Sequence, residues 1–164
     1  MNYLTYEQWD AIADSYIPVM ALLCLLFLAY SFFVNTKKLK KNITLQCKHS
    51  AFQCFAILAS VVWVYAIMFL DNHFKFWPSI TLDNQVLDYS THTALGLVFS
   101  CFLFCSTVIK QKYLALMTFA SMVLYLLLMK YQNYHTFADM LTTIMVVLPP
   151  MYWLMESTIK RTTP

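Results

Sequence analysis

The chain has 164 residues, of which 60% are apolar, 17% aromatic and 12% charged, and its formal net charge is +3. So small a soluble domain could not hide that much apolar surface, which excludes an ordinary soluble globular fold. The basic residues are distributed between apolar blocks rather than grouped on one soluble face, which excludes a nucleic-acid-binding domain.

Residues 2–16 predict a short amphipathic helix on the outer membrane surface. Thr5 and Gln8 have capping-box spacing, and Trp9, Ile12, Ala13 and Tyr16 form one apolar stripe. Tyr3, Tyr6 and Trp9 suit the headgroup layer. Pro18 then opens a first span, where its missing N–H does no harm. Glu7, Asp10 and Asp14 precede that span and no Lys or Arg does, so it does not read as a cleavable signal.

Five apolar blocks follow, at 17–34, 51–70, 91–109, 113–129 and 137–155. Each is about 17–20 residues long, enough to carry a helix across ~30 Å of hydrocarbon. The expected fold is therefore all-α: a polytopic membrane helix bundle of five transmembrane helices plus the interfacial helix, with residues 1–164 forming a single membrane domain. Lys37, Lys38, Lys40, Lys41, Lys48, Lys110, Lys112, Lys160 and Arg161 all fall on one side if the spans alternate, and only Lys75 and Lys130 fall on the other. That asymmetry predicts a cytoplasmic C-terminus and a non-cytoplasmic N-terminus, in a plasma or inner membrane. It also puts the acceptor sequence Asn42-Ile43-Thr44 in the cytoplasm, where it stays unglycosylated. Cys24, Cys47, Cys54, Cys101 and Cys105 lie outside the predicted outer loops and read as packing residues. Gly96, the one glycine, allows close helix contact or backbone approach. Pro149 and Pro150 are expected to distort the last span.

Ionisable groups at the edge of a hydrocarbon layer mark working sites. His92 starts the third span; His135 and Asp139 start the fifth, on the same predicted face. His135 and Asp139 are four apart, which on a helix stacks one side chain above the other. A carboxylate beside an imidazole suits a nucleophilic histidine, or a metal ligand with its supporting carboxylate, or a polar pair that only ties helices together. Ser90 or Thr91 is placed to cap the third span, whose free N–H groups would seat a phosphate. Lys75 and Lys130 lie in the same two outer connections.

Tyr89-Ser90-Thr91-His92-Thr93 resembles the Tyr-Ser-Gly-His-Thr box of sphingomyelin-synthase-type phosphotransferases, a branch of the type 2 phosphatidic acid phosphatase superfamily. His135-Thr136-Phe137-Ala138-Asp139 resembles the superfamily's last motif, and the two boxes are separated by one span out and one span back. The resemblance covers residues 51–155 and implies a lipid phosphatase or head-group phosphotransferase working through a phosphohistidine. It implies His135 as nucleophile, Asp139 as the group that orients it, and His92 as the acid that protonates the departing alkoxide. Lys75, Ser90, Thr91 and Lys130 would hold the phosphate of a membrane lipid, and neither metal nor other cofactor would be required. The chain departs from the pattern in having Thr91 in place of glycine and in lacking the phosphate-clamping arginines, Arg161 being on the opposite side. Asp83, Asp88, Trp77, Tyr131 and Tyr134 offer acids and aromatic rings to a cationic head group. Two further readings stand beside this one. One is a metal- or haem-binding membrane protein using His92 and His135, with His73 or Asp139 assisting. The other is a non-catalytic relative of the phosphatase fold.

Overall fold

The computed structural model describes residues 5–38, 43–78, 80–82, 85–107 and 111–162. Tyr3, Lys40, Lys41, Asn42, Asp83 and Lys110 lie outside the described residues. The described helices are α1 (Tyr6–Lys38), α2 (Ile43–Phe74), α3 (Thr91–Thr107), α4 (Lys112–Tyr131) and α5 (Phe137–Thr162). Between α2 and α3 a small antiparallel ladder pairs β1 (Thr81–Leu82) with β2 (Gln85–Val86), Thr81 opposite Val86.

Segments of α1, α2, α4 and α5 are long and apolar enough to cross a membrane, which makes this an all-helical membrane protein. Their outward faces agree: Phe55, Val62 and Phe69 on α2 and Leu116, Met117 and Leu124 on α4 are exposed. Soluble monomers rarely present apolar surface on that scale. The third predicted span differs. With 17 residues α3 is the shortest helix, about 25 Å long, and it packs against each of the other four. Residues all round it, including Thr93, Val98, Cys101, Phe102 and Cys105, are buried. A helix that is apolar on every side belongs in the middle of a bundle. Gly96 lets it approach α4: a Cβ there would lie 3.3 Å from Tyr125 Cε1 and 3.4 Å from Met122 Sδ.

The separate interfacial helix does not exist in the structure. α1 is one helix of 33 residues that runs through Pro18. The proline removes only the N–H that would have reached the Asp14 carbonyl, and the rest of the helix closes around it. The expected cap is present: Thr5 N–H donates to Gln8 Oε1 at 2.9 Å and Gln8 N–H to Thr5 Oγ1 at 3.4 Å. The first turns of α1 find partners in protein rather than in a headgroup layer. Tyr6 Oη donates to the Gln132 carbonyl at 3.3 Å, and Trp9 meets Tyr131 edge-on at 6.4 Å between centroids. Pro149 and Pro150 likewise sit inside α5 without ending it.

These contacts bring the start of α1 to the end of α4. Others bring the end of α2 and the start of α3 to the start of α5, so successive helices alternate in direction. One end of the bundle thus gathers the starts of α1, α3 and α5 and the ends of α2 and α4. At the other end, Lys160 Nζ pairs with Glu156 at 3.0 Å.

Candidate active site

The mouth is built on α5. Thr136 is the N-cap and Asp139 the third helical residue, and together they form a reciprocal capping box. Asp139 N–H donates to Thr136 Oγ1 at 3.2 Å, while Thr136 N–H donates to Asp139 Oδ2 at 2.8 Å. The Thr136 hydroxyl also donates to Oδ2, at 2.8 Å. The other oxygen, Oδ1, accepts the Asp88 N–H at 2.8 Å, and Asp139 is only 4% exposed.

One face of α5 continues this fastening of the 75–90 connection. Trp77 Nε1 donates to Thr142 Oγ1 at 3.0 Å, and Ser90 N–H to Thr143 Oγ1 at 3.1 Å. Positions 139, 142 and 143 share a face by helical spacing. Asp71, buried in the last turn of α2, accepts the Trp77 N–H at 2.8 Å. Lys75 closes α2 in the left-handed region at φ 55°, its N–H reaching the Asp71 carbonyl at 2.6 Å, and its side chain is exposed.

Ser90 is the cap of α3. Its Oγ accepts the Thr93 N–H at 3.2 Å and donates to Thr93 Oγ1 at 2.7 Å. The Thr91 and His92 N–H groups follow, at the positions a helix leaves without internal partners. His92 is exposed and its ring stacks on Tyr134 at 6.2 Å.

The 132–135 turn is set by α4. Asn133 adopts φ 57°, with Asn133 N–H on the Lys130 carbonyl at 3.1 Å and Tyr134 N–H on the Met129 carbonyl at 3.2 Å. This Schellman pattern ends the helix and turns the chain back to α5. Tyr134 Oη donates to Asp10, to which Gln132 Nε2 also donates, at 3.4 Å. That bond pushes the Tyr134 hydroxyl up to about 12. Lys130 Nζ lies 5.8 Å from the centre of the Phe137 ring, on the same turn.

His135 is half-buried in this turn, ahead of α5 rather than on it. It therefore does not stack on Asp139 as helical spacing predicted. Asp139 binds Asp88 and Thr136 instead, and acts on the ring by charge. Burial draws His135 below its ordinary value; the nearby Asp88 and Asp139 carboxylates oppose that, and His92 adds to it. His92 and His135 thus share one mouth, joined by the His92–Tyr134 stack and flanked by the Asp88–Asp139 contact. An imidazole drawn toward its neutral form by burial, with a second imidazole at the same mouth, can act as nucleophile and proton carrier.

Sequence reasoning overlooked the anchoring roles of Asp10, Asp71, Thr142 and Thr143. The Thr136-x-x-Asp139 spacing before an apolar run was a readable capping signal; the partners of Asp10, more than 120 residues away, had none. His73 is exposed at the end of α2, edge-on to Phe74. Among the described residues no group of three or more His, Cys, Asp or Glu side chains is placed to hold a metal ion. Cys101 and Cys105 touch at 3.9 Å within the core, with both sulfurs as free thiols. No family model, curated protein or solved structure matches this chain.

Proposed function

We propose that this protein is an integral-membrane lipid phosphatase or head-group phosphotransferase whose reacting groups are His135 and His92. The observation that carries the reading is the arrival of two imidazoles at one mouth: His92, on the first turn of α3, stacks on Tyr134, the residue that precedes His135. All five helices cross the membrane in this reading, with the mouth on the non-cytoplasmic side of a plasma or inner membrane. The lysine asymmetry of the sequence supports that orientation.

His135, kept neutral by burial, attacks phosphorus and forms a P–N bond as the P–O ester bond breaks. His92 gives its proton to the departing alkoxide, then accepts one from water or from a lipid hydroxyl that attacks the phosphohistidine. That second displacement breaks the P–N bond and restores His135. Lys130 and the N–H groups of Thr91 and His92 neutralise the phosphoryl oxygens, with Lys75 contributing charge at the same mouth. Asp139 is a positioning residue: it fixes the Thr136 turn next to His135 and biases the ring by its charge. No metal takes part in this chemistry.

The test is phosphate release from phosphatidic acid in vesicles, together with trapping of an acid-labile phosphoprotein. His135→Ala should abolish both, and turnover that persists in that variant excludes His135 as nucleophile. A second reading, a non-catalytic relative that keeps the fold, is favoured by one observation: every hydrogen bond of the Asp139 carboxylate comes from Asp88 or Thr136 and none from His135. Wild-type protein that binds phosphatidic acid without turning it over would establish that alternative.

A further inference from the structure

A groove of 630 Å3 runs down the bundle between α1 and α4, from Tyr16 to Tyr30 along α1 and from Ser121 to Gln111 along α4. Its wall is apolar, with Leu23, Phe27, Leu114 and Met117 along its length. Three of the hydroxyls that line it, those of Tyr16, Thr118 and Ser121, are engaged within the protein. Thr118 Oγ1 donates to the Leu114 carbonyl at 2.9 Å, and Ser121 Oγ to the Thr118 carbonyl at 2.8 Å. Tyr16 Oη lies 3.1 Å from Ser100 Oγ and 3.3 Å from Ser121 Oγ, and its ring stacks on Tyr125 at 4.1 Å. The other polar groups, the Tyr30 hydroxyl and the Gln111 amide, belong to the end of the groove far from the mouth, and the stretch between is apolar.

Its shape suits a long, thin occupant. From Tyr16 to Tyr30 α1 rises about 21 Å, so the volume is drawn out along the helix. A single methylene chain laid along α1 fits such a space. The upper end is also placed for a lipid. Ser100, which meets Tyr16 there, lies two turns below His92 on α3, about 12 Å deeper in the bundle. The groove therefore begins about 12 Å beneath the mouth, a depth that the glycerol, the ester and the first methylenes of a lipid tail together cover.

We propose that the α1–α4 groove is an acyl-chain site that holds one hydrocarbon tail of the lipid whose phosphate meets His92 and His135. The inference deepens the lipid-phosphate reading and rests on it for the identity of the head group alone. Full-length protein in dioleoylphosphatidylcholine vesicles is given trace phosphatidic acid bearing a mid-chain diazirine, irradiated and mapped by peptide mass spectrometry. Labelling should favour the groove residues of α1 and α4 over the exposed α2 face around Phe55 and Val62 by at least about fivefold. Leu23→Trp and Met117→Trp fill the groove and should bring that ratio to about one; Leu23→Met, which keeps the volume, should leave it unchanged. Size-exclusion behaviour and melting temperature report whether the tryptophan variants fold. If one does not, the wild-type labelling ratio still decides. Equal labelling of groove and α2 face overturns the proposal, as does a label that tryptophan leaves in place. Groove labelling that survives while His135→Ala has no effect on turnover keeps the acyl site and removes the catalytic reading. Uniform labelling together with a dead His135→Ala does the reverse.

Discussion

The mouth of the bundle has two halves that look alike in sequence and differ in what their polar groups do. On the side of the 75–90 connection, Asp71 and Asp139 are buried and their oxygens accept main-chain N–H groups from Trp77, Asp88 and Thr136. On the side of the 132–135 turn, His92 is exposed, His135 is half-buried, and the side-chain bonds run through Tyr134 and Gln132 to Asp10. Both halves present titratable groups at the edge of an apolar bundle. The second holds the two imidazoles of the proposed reaction, His92 and His135. Position near the membrane face thus nominates a residue, and the identity of its hydrogen-bond partners decides between fastening and chemistry.

The comparison can be broken by substitutions on either half. The largest effect is expected from His135→Ala: a loss of about 1000-fold or more in phosphate release, with a melting temperature close to wild type. Asp139→Ala should do the opposite kind of damage. It strands the Asp88 and Thr136 N–H groups and removes the α5 capping box, for a stability loss of about 2–4 kcal/mol in detergent unfolding. If Asp139→Ala melts normally and only turnover falls, the carboxylate belongs with the imidazoles and the division of the mouth is wrong. Asp71→Asn keeps an acceptor for Trp77 but removes its charge, and should lower stability by about 1 kcal/mol in the same unfolding measurement.

The smallest effect is a pH slope. Burial holds the folded-state value of His135 below that of the unfolded chain. Between those two values the unfolded chain binds the extra proton, so stability should fall as pH drops from the ordinary histidine range to the folded value, then level off. His135→Gln should remove that part of the slope in melting curves taken across the range. A slope that persists unchanged would assign it to other groups.

Much of the scaffold was legible because hydrophobic length is a strong signal. The blocks at 51–70, 113–129 and 137–155 lie within α2, α4 and α5, and Ser90 caps α3 as its position before an apolar run suggested. Two inferences failed for identifiable reasons. The amphipathic stripe of residues 2–16 and Pro18 suggested a break, yet Tyr134 and Gln132 supply Asp10 with partners from 120 residues away and more, which no local pattern reveals. The His135–Asp139 spacing suggested a stacked pair because both were assumed to be helical. The competing Thr136–Asp139 box starts the helix at Phe137, two residues too late for that. The fastening of Trp77 to Thr142 depended on a tertiary contact that sequence spacing does not encode.

A mouth at the end of an apolar bundle has a physical consequence for the proposed reaction. Four helices with exposed apolar faces would stand in the hydrocarbon, with His92 at one end of them. A lipid that diffuses sideways in the bilayer to that end would keep its tails immersed, and would avoid the ~0.8 kcal/mol per methylene that extraction into water demands.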